Sequence, residues 1–153
     1  MYARDTGGIA TPIGPVSIEI EQGAVARVIL GGAIAPAGST AAREALHQLE
    51  AYFAGERRDF DLPLAPARTM RGSELRAGLI AVGYGETLSY GALARRLGSA
   101  PRAIGQLCAR NPLPIIVPCH RVLGAGGAFG AYSAGDGPTT KAWLLAHEKE
   151  RLC

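Results

Sequence analysis

Apolar residues in the first third of the chain recur at two different spacings. Val16, Ile18 and Ile20 alternate with Ser17, Glu19 and Glu21, the period of a half-buried strand. Gln22 and Gly23 read as a turn, and Ala24–Leu30 as a second, more apolar strand, so the pair predicts a hairpin. The residues before Val16 carry no period and read as a loose start, while 31–38 form a Gly/Pro/Ala linker. From Ser39, a candidate N-cap, Ala42, Ala45, Leu46, Leu49 and Phe53 fall on one face of a helix that Gly55 stops. No chemistry is visible in this small α/β unit. Residues 56–68 are a charged connector punctuated by Pro63 and Pro66, which sets the expected domains at 1–66 and 67–153.

The second part reads as mainly helical. A helix from about Ser73 puts Leu75, Leu79 and Val82 on one face and ends near Gly83 and Gly85. Two short helical patterns follow, 89–97 and 101–110, separated by Gly98. Leu93 and Leu97 turn inward on the first, and Ile104, Leu107 and Cys108 on the second. This is helix–turn–helix spacing, with Arg102 and Gln106 outward at i, i+4. Many helical pairs share the pattern without touching DNA, so both readings stand. Residues 113–117 are an apolar run predicted to be a buried strand that ends on Pro118 and delivers Cys119. In a last helix over 139–150, Glu148 shares a stripe with Lys141, Leu144 and Leu145. A carboxylate turned toward a core costs several kcal/mol, to order of magnitude, unless paired; a histidine is one partner and solvent at the stripe's edge is the other outcome.

Composition narrows the class. With 153 residues the chain is one or two small domains, and a net charge of +3 is compatible with a polyanion without demanding one. Cys108, Cys119 and Cys153 are odd in number and widely spaced, so no disulfide framework is expected. His47, His120 and His147 show no metal-ligand spacing with them, and neither a metal nor a cofactor is expected. The absence of a membrane-length apolar run or signal peptide predicts a soluble protein of a reducing compartment, the cytoplasm. Gly124, Gly126, Gly127 and Gly130 do not match a dinucleotide loop and read as a turn.

Cys119, fixed between Pro118 and His120, is either a small core residue or a nucleophile. As a nucleophile it needs help to ionise, since a thiol of pKa ~8.5 is only a few per cent thiolate at neutral pH. Along a strand the His120 side chain would point away from Cys119, so a bridging water is the expected link, with Glu148 fixing the imidazole tautomer.

Pro118, Cys119, His120 and Arg121, after an apolar run that begins at Asn111 and Pro112, resemble the active-site signature of the O6-alkylguanine-DNA alkyltransferases (methylated-DNA–protein-cysteine methyltransferases). The likeness extends through Gly85, Glu86, Thr87, Leu88, Ser89, Tyr90 and Gly91, then Pro101, Arg102, Ala103, Ile104 and Gly105. Downstream it takes in Tyr132 and Ser133, and Lys141 to Glu148; it covers roughly 80–150, more weakly 49–64. The resemblance implies an α+β protein: a small N-terminal ribonuclease-H-like α/β scaffold, and a mainly helical C-terminal domain with a helix–turn–helix. It implies a monomer that repairs double-stranded DNA carrying O6-alkylguanine, the nucleotide being flipped from the minor groove into a pocket. Cys119 would attack the alkyl carbon and keep the alkyl group as a thioether, so each molecule acts once. The matching residues imply a Cys119–water–His120–Glu148 relay and a turn braced by Asn111. Tyr90 is implied as the donor to the leaving base at N3 and Ser133 as a donor to its oxygen. The carbonyls of Cys119 and Val122 would read the exocyclic amine. Arg102 would fill the gap in the stack, with Gln106 and Tyr132 completing the contact set.

The chain departs from the family pattern around substrate access. Met70 or Arg71 stands for a usual phenylalanine, Arg76 for a tryptophan, and Gln106 and Leu107 for small residues. Ala134 replaces a common glycine, and 136–140 is longer than usual and carries Asp136. These changes motivate a first rival, a thiol alkyltransferase acting on an alkylated small molecule. A second rival is a DNA-binding module that recognises damage without transfer, against which the retained Cys119 counts. A cysteine hydrolase would need His47 or His147 beside the thiol.

Overall fold

The alternation of Val16, Ile18 and Ile20 becomes the central strand of a three-stranded antiparallel sheet in the computed structural model, which describes residues 5–127, 132 and 134–150. The strands are β1 (Asp5–Thr11), β2 (Gly14–Glu21) and β3 (Ala24–Leu30), in sheet order β1-β2-β3. Gln22 and Gly23 both have positive φ, 51° and 77°, the twist a two-residue hairpin turn requires. The loose start expected before Val16 is instead strand β1. Its glycines hid it: a Cβ on Gly8 would lie 1.8 Å from the Ala33 carbonyl oxygen, so the close-packed 31–35 segment forbids the apolar side chains that mark a strand.

Helix α1 (Thr40–Phe53) buries Ala42, Ala45, Leu46, Leu49, Tyr52 and Phe53. Ser39 caps it, its hydroxyl accepting from the Ala42 N–H at 3.1 Å. The buried Gln48 amide makes a two-way bond with the backbone of Asp61, at 3.0 and 2.9 Å. Beyond it Val25 N–H donates to the Pro63 carbonyl and Ala65 N–H to the Val25 carbonyl. Most of the charged connector is therefore stitched to this first unit, Met1–Ala65; the second is Pro66–Cys153.

The second unit contains α2 (Met70–Ile80), β4 (Leu88–Ser89), α3 (Tyr90–Leu97), α4 (Pro101–Ala109), β5 (Val122–Leu123) and α5 (Pro138–Glu150). Helix α2 starts earlier than the apolar stripe predicts, because Thr69 supplies an N-cap to the Gly72 N–H at 2.9 Å. Ser89 caps α3, and Gly98, at φ 63°, closes it in the left-handed conformation before Pro101 opens α4. Leu93 and Ile104 are the fully buried contacts of this helical pair. Each such side chain contributes about 1.5–3 kcal/mol. The strand expected over 113–117 does not form: those residues are turns, and Cys119–Arg121 is a single 3₁₀ turn. Pro112, Pro114 and Pro118 lack the N–H donors a ladder needs, and Ile115 has φ 75°, outside the strand region. Among the described residues no helix is long and apolar enough to cross a membrane.

Candidate active site

The turn after α4 is organised by one side chain. Asn111 accepts the Leu113 N–H at 2.9 Å through Oδ1, while its Nδ2 donates to the Val117 carbonyl at 2.9 Å and to the Cys119 sulfur at 3.2 Å. The amide thus closes the turn and touches the nucleophile candidate with the same nitrogen. Residues 113–122 are all buried, and the prolines remove donors that the interior could not satisfy. A β-branched residue at positive φ is strained, by about 1–3 kcal/mol, and Ile115 carries that strain inside the loop that positions the thiol.

Cys119 is buried, with 4% of its surface exposed. Its sulfur is hydrogen-bonded to the Cys108 thiol from the last turn of α4, and both cysteines are free. The Cys119 pKa is lowered to about 7: the Cys108 hydrogen bond lowers it most, burial opposes, and Asn111 and the Lys141 charge add to the lowering. Lys141, on α5, is itself buried and donates from Nζ to the Val122 carbonyl at 2.7 Å. Its ammonium also lies 5.8 Å from the centre of the Tyr132 ring. Burial first, then the nearby thiols, push the Tyr90 hydroxyl up, so it stays protonated and able to donate.

Behind the thiol lies a buried charged cluster. His120 Nε2 is 2.6 Å from Glu148 Oε2. Arg121 grips the same carboxylate with Nε on Oε1 at 2.8 Å and Nη2 on Oε2 at 3.1 Å, and spends Nη1 on the Val82 carbonyl at 2.7 Å. The Gly85 N–H adds a fourth donor to Glu148 at 3.2 Å. Burial alone would raise the Glu148 carboxyl, but the His120 and Arg121 hydrogen bonds and charges hold it well below the usual carboxylate range. Burial, with the Arg121 and Lys141 cations, pushes His120 down against the pull of Glu148. The consistent state is an ionised Glu148 compensated by Arg121 and a neutral His120 with its proton on Nε2. Its Nδ1 is buried without a protein partner among the described residues and keeps a basic lone pair.

Glu148 therefore turns inward and meets a histidine, as one of its two open outcomes had it. Arg121 and Lys141 were missed as working groups. The clue for Arg121 was available: a carboxylate in an apolar stripe calls for a permanent cation as well as a histidine. Lys141 serves the Val122 carbonyl rather than the carboxylate on its own stripe. Val122 in turn donates its N–H to the Cys119 carbonyl. Tyr132 is buried, and Arg102 and Gln106 are exposed on α4. Ser133 lies outside the described residues. His147 stacks on Trp143, ring centres 4.8 Å apart. Of the departures, Met70 is exposed, and Arg76 is half-buried in a cleft of about 700 Å³ that runs past Gln106 to Asn111. Arg71 caps α3 from outside, donating to the carbonyls of Leu97 and Gly98 at 3.1 and 3.0 Å. Asp136 is exposed and its N–H is held by the Thr140 hydroxyl at 2.9 Å.

Residues 74–150 match the family described as 6-O-methylguanine DNA methyltransferase, DNA binding domain, and residues 39–66 match the ribonuclease-like domain of the same enzymes. The chain is 50% identical over 95 residues to a methylated-DNA–protein-cysteine methyltransferase of Methanosarcina acetivorans, an alignment covering 61% of each chain. A DNA base-flipping protein of Thermus thermophilus is 41% identical over 150 residues, covering 92% of this chain and 97% of that one. The crystal structure of Mycobacterium tuberculosis OGT in complex with DNA superposes with a TM-score of 0.83 at 35% identity, covering 95% and 93% of the two chains.

Proposed function

Since this chain belongs to the 6-O-methylguanine DNA methyltransferase family, we propose that it repairs duplex DNA by moving the alkyl group of O6-alkylguanine onto Cys119, once per molecule. The observation that carries this reading is the Asn111 amide on the Cys119 sulfur, beside a neutral His120 held by Glu148. The Cys119 proton leaves through a water to Nδ1 of His120, and the imidazolium so formed is stabilised by Glu148. The thiolate attacks the alkyl carbon; the S–C bond forms as the C–O6 bond breaks. Guanine departs with its negative charge met by the protonated Tyr90 at N3. Ser133 serves the base oxygen, and the carbonyls of Cys119 and Val122 accept from the exocyclic amine. The product is a thioether that no ordinary thiol reductant reverses.

On this reading α3, the Gly98 turn and α4 act as a helix–turn–helix. Helix α4 enters the minor groove, Arg102 takes the place of the extruded nucleotide, and Gln106 and Tyr132 border the base. The domains divide as 1–66 and 67–153, and the protein works as a monomer in the cytoplasm, where its thiols stay reduced.

The test is intact-protein and peptide mass spectrometry after incubation with duplex DNA carrying O6-methylguanine, alongside Cys119→Ser. One methyl group on the Cys119 peptide, absent from the variant, is the expected result. The near full-length match to a base-flipping protein supports a second reading, recognition without transfer. Tight lesion binding with Cys119 unmodified would replace the first reading by the second. Transfer only from a free alkylated base would point to a small-molecule substrate.

A further inference from the structure

Two thiols meet in this site, and only one has the surroundings of a nucleophile. Cys119 receives the Asn111 amide and the hydrogen bond of Cys108, whereas Cys108 sits half-buried in the last turn of α4, its carbonyl taken by the Asn111 N–H at 3.3 Å. We propose that Cys108 is a positioning residue for the transfer: its S–H donates to the Cys119 sulfur and holds that sulfur as a thiolate aimed away from α4. The inference rests on the reading of Cys119 as the nucleophile and adds to it the group that prepares the attack.

A thiol is a weak donor to neutral acceptors, but a hydrogen bond to an ionised sulfur is charge-assisted and roughly doubled in strength. Two adjacent thiolates repel, so the pair loses one proton near neutrality and holds the second. The Asn111 amide decides which sulfur ionises, because it reaches Cys119 and not Cys108. The Cys108 thiol is accordingly pushed far up, by the hydrogen bond to Cys119 first and burial second, and remains a donor throughout the working range. The other titratable groups facing the pair are Lys141 from α5, whose charge favours the thiolate, and Tyr90 and Tyr132, both shifted toward the protonated form. Once Cys119 becomes a thioether it is a poor acceptor, so the donor loses its partner on transfer and the bond acts before the reaction.

Methyl iodide is a suitable probe: it delivers a methyl group by displacement, needs the thiolate, and requires no DNA. The rate of S-methylation of the Cys119 peptide is followed by mass spectrometry from about pH 5.5 to 10 for the parent chain, Cys108→Ala and Cys108→Ser. The parent profile should turn over near 7. Cys108→Ala should move the midpoint upward and slow the reaction at pH 7 several-fold. The ceiling is about 15-fold, the ratio of thiolate fractions for midpoints of ~7 and ~8.5, and the profiles should converge at alkaline pH. Cys108→Ser, which keeps a donor, should recover most of the loss. Superimposable profiles for the parent and Cys108→Ala would overturn the inference. Equal shifts in the alanine and serine variants would do the same, since they would reduce Cys108 to packing. If the parent shows the low midpoint yet takes no methyl group from O6-methylguanine in DNA, the repair reading fails and this one stands.

Discussion

Arg121 and Glu148 form a buried two-point ion pair, Nε to Oε1 at 2.8 Å and Nη2 to Oε2 at 3.1 Å. The two residues are far apart in sequence, one in the 3₁₀ turn that carries the thiol and the other near the end of α5. The contact therefore fastens the nucleophile's own turn to the last helix. His120, between Cys119 and Arg121 in sequence, is oriented by the same carboxylate.

Removing one partner of this pair strands the other charge in the interior. Glu148→Met should lower the unfolding free energy by about 3–5 kcal/mol, whereas Arg121→Met with Glu148→Met should be less damaging than Glu148→Met alone. Urea titration of the three variants, read as midpoints at unchanged slope, checks the non-additivity. Additive losses would mean that the two side chains do not act as a unit.

The same cluster sets the response to acid. Glu148 has a depressed carboxyl, so its contribution is fully present above the unfolded value of ~4.3 and is lost as pH falls below it. His120 is pushed down by burial, so its contribution is present above ~6.5 and declines as pH drops through that value. Both slopes have one sign: stability should fall steadily from neutral pH toward pH 4 and below. In Glu148→Gln the limb below about pH 4.5 should flatten; denaturant titrations at a series of pH values resolve the two limbs.

Lys141 bears on the thiol and the base pocket together. Lys141→Met removes the cation that favours the Cys119 thiolate and the donor on the Val122 carbonyl. The expected outcome is a higher midpoint for Cys119 methylation and a loss of about 1–3 kcal/mol from the unsatisfied buried carbonyl. A methylation profile and a urea titration on the same preparation separate the two effects.

Arg102 should behave in the opposite way. It is exposed on α4, so Arg102→Ala should change stability by less than about 0.5 kcal/mol. Transfer from O6-methylguanine in duplex DNA should slow by about tenfold or more, while transfer from free O6-benzylguanine should not change. Equal slowing on both substrates would remove Arg102 from the DNA contact set.

Ser39, Ala24–Leu30, the inward Leu93 and Ile104 and the exposed Arg102 and Gln106 were all legible in the sequence, because caps and periodicity are local properties. Strand β1 was not, since its packing is met by glycine rather than by a repeating apolar side chain. The 113–117 segment looked like a strand from its hydrophobicity. The prolines that rule a ladder out were in view, but the positive φ of Ile115 is imposed by the Asn111 bonds across the turn. Arg121 and Cys108 lay in or beside recognised motifs, yet their partners come from distant positions in the chain, and spacing alone does not report such contacts. The first turn of α2 was legible only as a departure from the family, not as the cap that Arg71 places on α3.

That cap reaches further than the end of one helix. Arg71 stands in the first turn of α2 and holds the Leu97 and Gly98 carbonyls, while just past the other end of α2 Val82 and Gly85 hold Arg121 and Glu148. An 11-residue helix spans about 16 Å, so α2 works as a strut between the α3–α4 turn and the cluster behind the thiol. Reader and nucleophile then travel along a duplex as one stiff body, with no refolding to wait for at each base pair. Scanning speed is set by sliding, and the slow event in finding a lesion belongs to the DNA, in the swing of a weakly paired base out of its stack.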